Sequence, residues 1–181
     1  MGVATTNLEN DHVHILKLID VMENITQLPE ANTEHLDTIV NLIRSFADGT
    51  HHTKEETLLF PKMVEKGFSF QQGPIAVMMS DHVEGRIFVK GLADNILLYK
   101  SGNKNALPSI YKNMKGYIDL LRAHIGKENN VLFRMADQAL SAEEQQSLLN
   151  EFKKVELNPV FGGVVADCIS SIENLTKVYK I

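Results

Sequence analysis

The sequence predicts an all-α protein: an up-down-up-down four-helix bundle with two additional C-terminal helices. Three observations predict it. Apolar residues recur at helical spacing nearly throughout, with no alternating segment of strand length. The first four helical segments are long and joined by short loops, as in an antiparallel bundle. The first two of them also resemble the next two, so the bundle should have approximate two-fold symmetry.

The elements follow in order. Thr6 with Glu9 fits a capping box and opens a helix that runs to about Thr26, where Gln27-Leu28-Pro29-Glu30 breaks it. Thr33 caps a long second helix reaching towards Gly67, with Pro61 expected to kink it or end its regular part. Residues 68–73 form a loop, and Pro74 suits the first turn of a third helix ending near Ser101-Gly102-Asn103. A fourth helix spans about Ala106 to Ala136. Ser141 with Glu144 caps a short fifth helix to about Val155. Asn158-Pro159 breaks the chain, and Gly162-Gly163 precedes a last helix. Residues 1–156 are thus expected to form the bundle with its fifth helix, and residues 157–181 a helix packed on the same domain.

Composition narrows the function. The 181 residues are 44% hydrophobic and 23% charged, an ordinary globular balance. A net charge of −5 argues against a nucleic-acid or anionic-membrane surface. No apolar run is long enough for a membrane span, and residues 1–10 do not read as a signal peptide. The single cysteine, Cys168, excludes an intramolecular disulfide and suits a reducing cytosol, so a cytoplasmic protein is expected. Cys168 reads as a small buried residue, and Met78, Met79 and Met114 as core filling.

The repeat carries the chemistry. Asp11-His12-Val13 recurs as Asp81-His82-Val83, an offset of 70 residues. The stretch from His51 to Phe60 recurs from His124 to Phe133, an offset of 73, with the shared pattern H-x-x-K-E-x-x-[LV]-L-F. Residues four apart on a helix lie about 40° apart. His51 and Glu55 therefore fall on the apolar stripe of helix two, and His124 and Glu128 on that of helix four. His12 and His82 fall on the stripes of helices one and three. His52 and Glu56 lie about 100° around, towards the flank. His14 and His35 are expected to face solvent. Ionised carboxylates are costly to bury unless paired or bound to a metal. Two glutamates and four histidines at matching depth share one explanation, a pair of metal ions. Their chemistry suits iron, manganese or zinc, and the absence of thiolate argues against copper(I) or an iron–sulfur cluster.

These blocks resemble the hemerythrin-like, or HHE cation-binding, family over roughly residues 5 to 156. The carrying residues are Asp11-His12, residues 51–56 with the trailing Leu59-Phe60-Pro61, Asp81-His82-Val83-Glu84-Gly85-Arg86, and His124 with Glu128. The resemblance implies a four-helix bundle holding two iron ions with an oxo or hydroxo bridge, manganese or zinc being alternatives. It makes His12, His51, Glu55, His82, His124 and Glu128 the metal ligands, with both glutamates bridging. His52 and Glu56 are weaker candidates. Two positions depart from oxygen-carrying hemerythrins: Arg86 stands where a second third-helix histidine is found, and Glu128 replaces an aspartate one residue further on. An open coordination position then favours exchange of dioxygen, hydrogen peroxide or nitric oxide. Arg86 is a candidate to orient an anionic ligand or pair with a bridging glutamate, and Tyr117, two turns before His124, to donate a hydrogen bond or electrons. The expected function is a di-iron protein reacting with one of these small molecules, possible activities including peroxide decomposition. The alternative is an iron- or oxygen-sensing or metal-storage module without turnover.

Overall fold

A computed structural model of the chain describes residues 2–158 and 165–181. Among the described residues every regular element is helical, with no strand. The α-helices are α1 (Val3–Ile25), α2 (Thr33–Leu42), α3 (Phe60–Glu65), α4 (Gly73–Lys100), α5 (Leu107–Lys127), α6 (Phe133–Ala139), α7 (Ala142–Leu157) and α8 (Val165–Tyr179). Segments Ile43–His52 and Glu55–Leu59 are π-helical, so that residues 33–65 form one continuous helical rod. Glu128–Leu132 is π-helical too and joins α5 to α6 in the same way.

Helix starts follow from local chemistry, with two corrections to the sequence expectation. Helix α1 begins a turn before Thr6, at an extended Gly2 without a side-chain cap. The Thr6 hydroxyl donates back to the Gly2 carbonyl and Glu9 pairs with Arg134, so they form no capping box. Asn32, not Thr33, caps α2: its Oδ1 accepts from the amides of Glu34 (2.8 Å) and His35 (3.2 Å). Pro74 does occupy the first turn of α4. Ser141 and Glu144 form the expected capping box of α7. Pro159, Gly162 and Gly163 lie outside the described residues.

The irregularity expected at Pro61 has a different origin. The backbone leaves α-geometry before the proline, at Glu55–Leu59, and does so again at Glu128–Leu132. The repeat places Arg134 opposite Pro61, so proline is not the shared cause. Both π segments start on a glutamate of the repeat, and π turns inside α-helices are frequent at functional sites. They change the angle between successive side chains, which α-helical spacing does not anticipate.

Buried apolar side chains form two clusters rather than one. One contains Ala4 and Leu8 of α1, Phe60 and Met63 of α3, Ile75 and Met78 of α4, Phe133 and Ala136 of α6, and Leu148 and Phe152 of α7. The other contains Ile15 to Ile25 of α1, Leu36 to Ala47, Val89 to Tyr99 of α4, Ile110 to Ile125 of α5, and Cys168, Ile172 and Leu175 of α8. On each long rod the repeat's histidines and glutamates fall between the two clusters. They thus form a polar layer across the core.

Candidate metal centre

The polar layer brings together all six residues that the repeat singled out. His12, His51, Glu55, His82, His124 and Glu128 are all buried. The two rings of each repeat face each other through their inner nitrogens: His12 Nε2 lies 3.0 Å from His51 Nε2, and His82 Nε2 3.2 Å from His124 Nε2. Glu55 sits across the middle, Oε1 at 3.6 Å from His51 Nε2 and Oε2 at 3.5 Å from His82 Nε2. Glu128 Oε2 lies 3.2 Å from His12 Nε2 and 3.3 Å from His124 Nε2. Two tetrads result: His12, His51, Glu55 and Glu128, and His52, Glu55, His82 and His124, with Glu55 common to both.

An outer ring of acceptors aims the histidines. His51 Nδ1 meets Asp11 Oδ2 at 3.2 Å, and its repeat partner His124 Nδ1 meets Asp81 Oδ2 at 3.1 Å. His12 Nδ1 meets Asn129 Oδ1 at 2.7 Å, and His82 Nδ1 meets Glu56 Oε1 at 2.7 Å. Asn129 and Glu56 are themselves repeat partners. Aromatic rings follow the same exchange, His12 stacking on Phe133 and His82 on Phe60. A carboxylate or amide oxygen only accepts, so each Nδ1 is the donor and each Nε2 keeps a lone pair turned inward. Facing lone pairs 3.0 Å apart repel unless something positive lies between them.

The glutamates point to the same cation. All four of their carboxyl oxygens are buried and make no hydrogen bond among the described residues; the nearby Nε2 atoms are not in hydrogen-bonding geometry. Burial pushes both carboxyls above the usual range, Glu128 to about 8. Burial also lowers the basicity of His12, His51, His52 (to about 4) and His124, favouring the neutral imidazole that a metal requires. Orphaned carboxylates facing neutral imidazoles in two tetrads fit a pair of divalent cations well. The donors are nitrogen and oxygen, so iron, manganese and zinc all suit them.

These shifts give the metal-free protein a pH optimum of stability. The four depressed histidines stay neutral when folded but protonate near 6.5 when unfolded, so stability is lost as pH falls below that value. The two raised carboxyls do the reverse. They stay protonated when folded and ionise near 4.5 when unfolded, so stability is lost as pH rises above 4.5, for Glu128 up to about 8. The histidines dominate below 6.5, and only the carboxyls act above it. Melting of chelated protein should therefore peak near pH 6.5, each flank falling by about 1.4 kcal/mol per pH unit per net proton. A monotonic rise to pH 8 would contradict the burial assigned to the glutamates.

Several placements differ from the α-helical expectation. His52 is not on the flank: it is buried, stacks on His82 with ring centroids 3.7 Å apart, and anchors through Nδ1 to Asp48 at 3.2 Å. The π-helical turn at Ile43–His52 carries it inward. Glu56 belongs to no tetrad and holds His82. Arg86 pairs with Glu56 (2.8 Å) and Asp48 (2.6 Å) rather than with a bridging glutamate. His14 is half-buried against Phe46, and His35 bonds the Tyr179 hydroxyl at 2.7 Å. Tyr117 is buried and lines, with Arg86, a cavity that opens onto His52, His82 and His124.

Asp11, Asp81, Lys54, Lys127 and Asn129 carry no role in the sequence expectation. The signal was in the repeat itself, where aspartate precedes the first histidine and lysine precedes the glutamate in both halves. Lys54 contacts Asp11 at 2.5 Å, and Lys127 pairs with Asp81. Each lysine thus holds the aspartate that orients a histidine.

The iron-sulfur cluster repair protein YtfE of Escherichia coli O1:K1 / APEC is 32% identical over 117 residues, covering 60% of this chain and 48% of that protein. The proteins of the same name from Escherichia coli strain SMS-3-5 and Escherichia fergusonii match to the same extent. The chain therefore spans about half the length of these curated relatives. No solved structure gives a significant match. No helix among the described residues is long and apolar enough to cross a membrane. The family model for the hemerythrin HHE cation binding domain matches residues 3–136, which include both tetrads, and the chain belongs to that family.

Proposed function

We propose that this chain is a cytoplasmic, non-haem di-iron protein that binds and reacts with a small molecule, dioxygen, hydrogen peroxide or nitric oxide. The carrying observation is the set of four orphaned glutamate oxygens among four inward-facing Nε2 atoms. His12 and His51 would hold one iron and His82 and His124 the other, with His52 a further ligand on the second. Glu55 and Glu128 would bridge. The four long rods then act as an up-down-up-down bundle that fixes the ligands at mid-height. Iron held there supplies redox chemistry and an exchangeable position for the small molecule.

The protein's own groups define the rest. Asp11, Asp81, Asn129 and Glu56 keep each imidazole in one tautomer and one orientation. Phe60 and Phe133 keep water from the rings they stack on. Storing or sensing iron without turnover is the second reading. The relatives' name, iron-sulfur cluster repair, suits a centre that holds and releases iron.

The test is metal analysis after anaerobic reconstitution with ferrous iron, then an optical spectrum before and after peroxide. Two irons per chain, and a large loss of iron in His51→Ala, are expected. One iron or none would end the di-iron reading. Spectral recovery after repeated peroxide additions separates turnover from storage.

A further inference from the structure

The two halves of the centre are related by the repeat, but only one of them borders the cavity that holds Tyr117. That cavity, of about 130 Å³, reaches His52, His82 and His124. Its existence follows from particular departures from the repeat. Gly85, one turn after His82, leaves space that Ile15 fills beside His12. His52 and Arg86 stand where the other half has Ile125 and Leu16.

We propose that this cavity binds a neutral ligand with an oxygen head group and a short branched aliphatic tail, of the size of a four-carbon alkyl hydroperoxide. Gly85 sets the size limit and the Tyr117 hydroxyl donates to the head group. The proposal rests on the di-metal reading for the partner that the head group meets beside His82 and His124.

The space is larger than dioxygen, hydrogen peroxide or nitric oxide requires. A water takes up about 30 Å³ of the liquid, and an apolar cavity of about 150 Å³ accommodates benzene. The lining combines three imidazoles and a phenol with the apolar Ile43, Val89, Leu120 and Leu121 and the charged Arg44, Asp48, Asp81, Arg86 and Lys90. Arg86 is already matched by Asp48 and Glu56 and so offers no unpaired charge to an anion. Of the other charged lining residues, Asp81 is held by Lys127 and Lys90 by Asp94, and Arg44 is exposed, so a neutral ligand suits the apolar walls beside Gly85 best. Tyr117 has no hydrogen-bond partner among the described residues, and burial keeps its phenol protonated, as a donor must be. A Cβ added at Gly85 would meet Tyr117 Cε2 at 3.5 Å and Leu120 Cδ2 at 3.7 Å, ordinary contacts. Alanine is therefore tolerated there, whereas a leucine side chain must enter the cavity.

The test uses full-length protein loaded with zinc, which keeps a divalent metal and removes redox chemistry. Amide NMR shifts are followed during titration with tert-butyl hydroperoxide. Saturable shifts at Gly85, Tyr117 and Leu120 are expected in the wild type and in Gly85→Ala. Gly85→Leu should bind at least about tenfold more weakly at unchanged zinc content, and Tyr117→Phe about five- to tenfold more weakly. Absence of saturable shifts in the wild type, or equal binding by Gly85→Leu, overturns the proposal. Failure to hold zinc would count against the metal centre alone. The cavity walls are protein side chains, so the same titration of metal-free protein then decides whether the pocket binds its ligand.

Discussion

Replacing Glu55 by glutamine is expected to move stability in opposite directions with and without metal. In chelator the wild-type protein buries a carboxyl group whose two oxygens lack hydrogen-bond partners among the described residues, and burial holds it protonated. An amide removes the ionisable group and places its one nitrogen, a donor, beside the inward Nε2 of either His51 or His82. The metal-free variant should therefore gain about 1–3 kcal/mol. With ferrous iron the order reverses, because Glu55 is the residue common to both tetrads. Loss of an outer partner alone lowers metal affinity about 10–100-fold, and loss of a shared ligand should exceed that. The stabilisation that wild-type protein gains from added metal by mass action should then largely vanish. Paired melting curves in chelator and in ferrous iron read both signs. A variant less stable in chelator, with iron retained, would show that Glu55 has a structural partner and no metal role.

The second large effect is expected at Lys54. Its side chain is 0% exposed and contacts Asp11 at 2.5 Å, Asn7 at 2.8 Å and Glu156 at 3.0 Å. Lys54→Met leaves Asp11 buried without its cation and cuts the tie from the centre to α7. Removing one member of a buried pair costs about 3–5 kcal/mol, which for a chain of this size lowers the melting temperature by roughly 10–15 °C. Lys127, its repeat partner, is 41% exposed, so Lys127→Met should cost under about 1 kcal/mol. Asp11→Asn introduced beside Lys54→Met should restore part of the loss. Equal losses for the two lysines would contradict the difference in burial.

That contrast marks how far the sequence could be read. Helical periodicity and the repeat were enough to place six residues in one core, because their spacing errors stay small over a single turn. The same arithmetic misplaced His52. It assumes 100° per residue, and the π-helical stretch ending at His52 does not obey it. The irregularity expected at Pro61 falls on the turn before it, but it recurs at Glu128, which no proline closely follows, and a π turn has no residue signature. Asn32 and Thr33 are adjacent cap formers, and only the backbone decides between them. Lys54 and Lys127 are indistinguishable in the motif; Glu156, about a hundred positions away in the chain, makes them different.

The polar layer between the two apolar clusters has a mechanical consequence. Hydrophobic cohesion runs within each end of the molecule but is interrupted at the middle, where imidazoles and carboxylates meet. Helix α7 belongs to one end and α8 to the other, so each terminal helix braces a different half. Across that seam the rods are held by their covalent continuity, by the hydrogen bonds and ion pairs of the outer ring, and would be held further by an ion shared among the histidines and glutamates. Metal bound at the seam would make the two ends less able to open as separate units than they are without it.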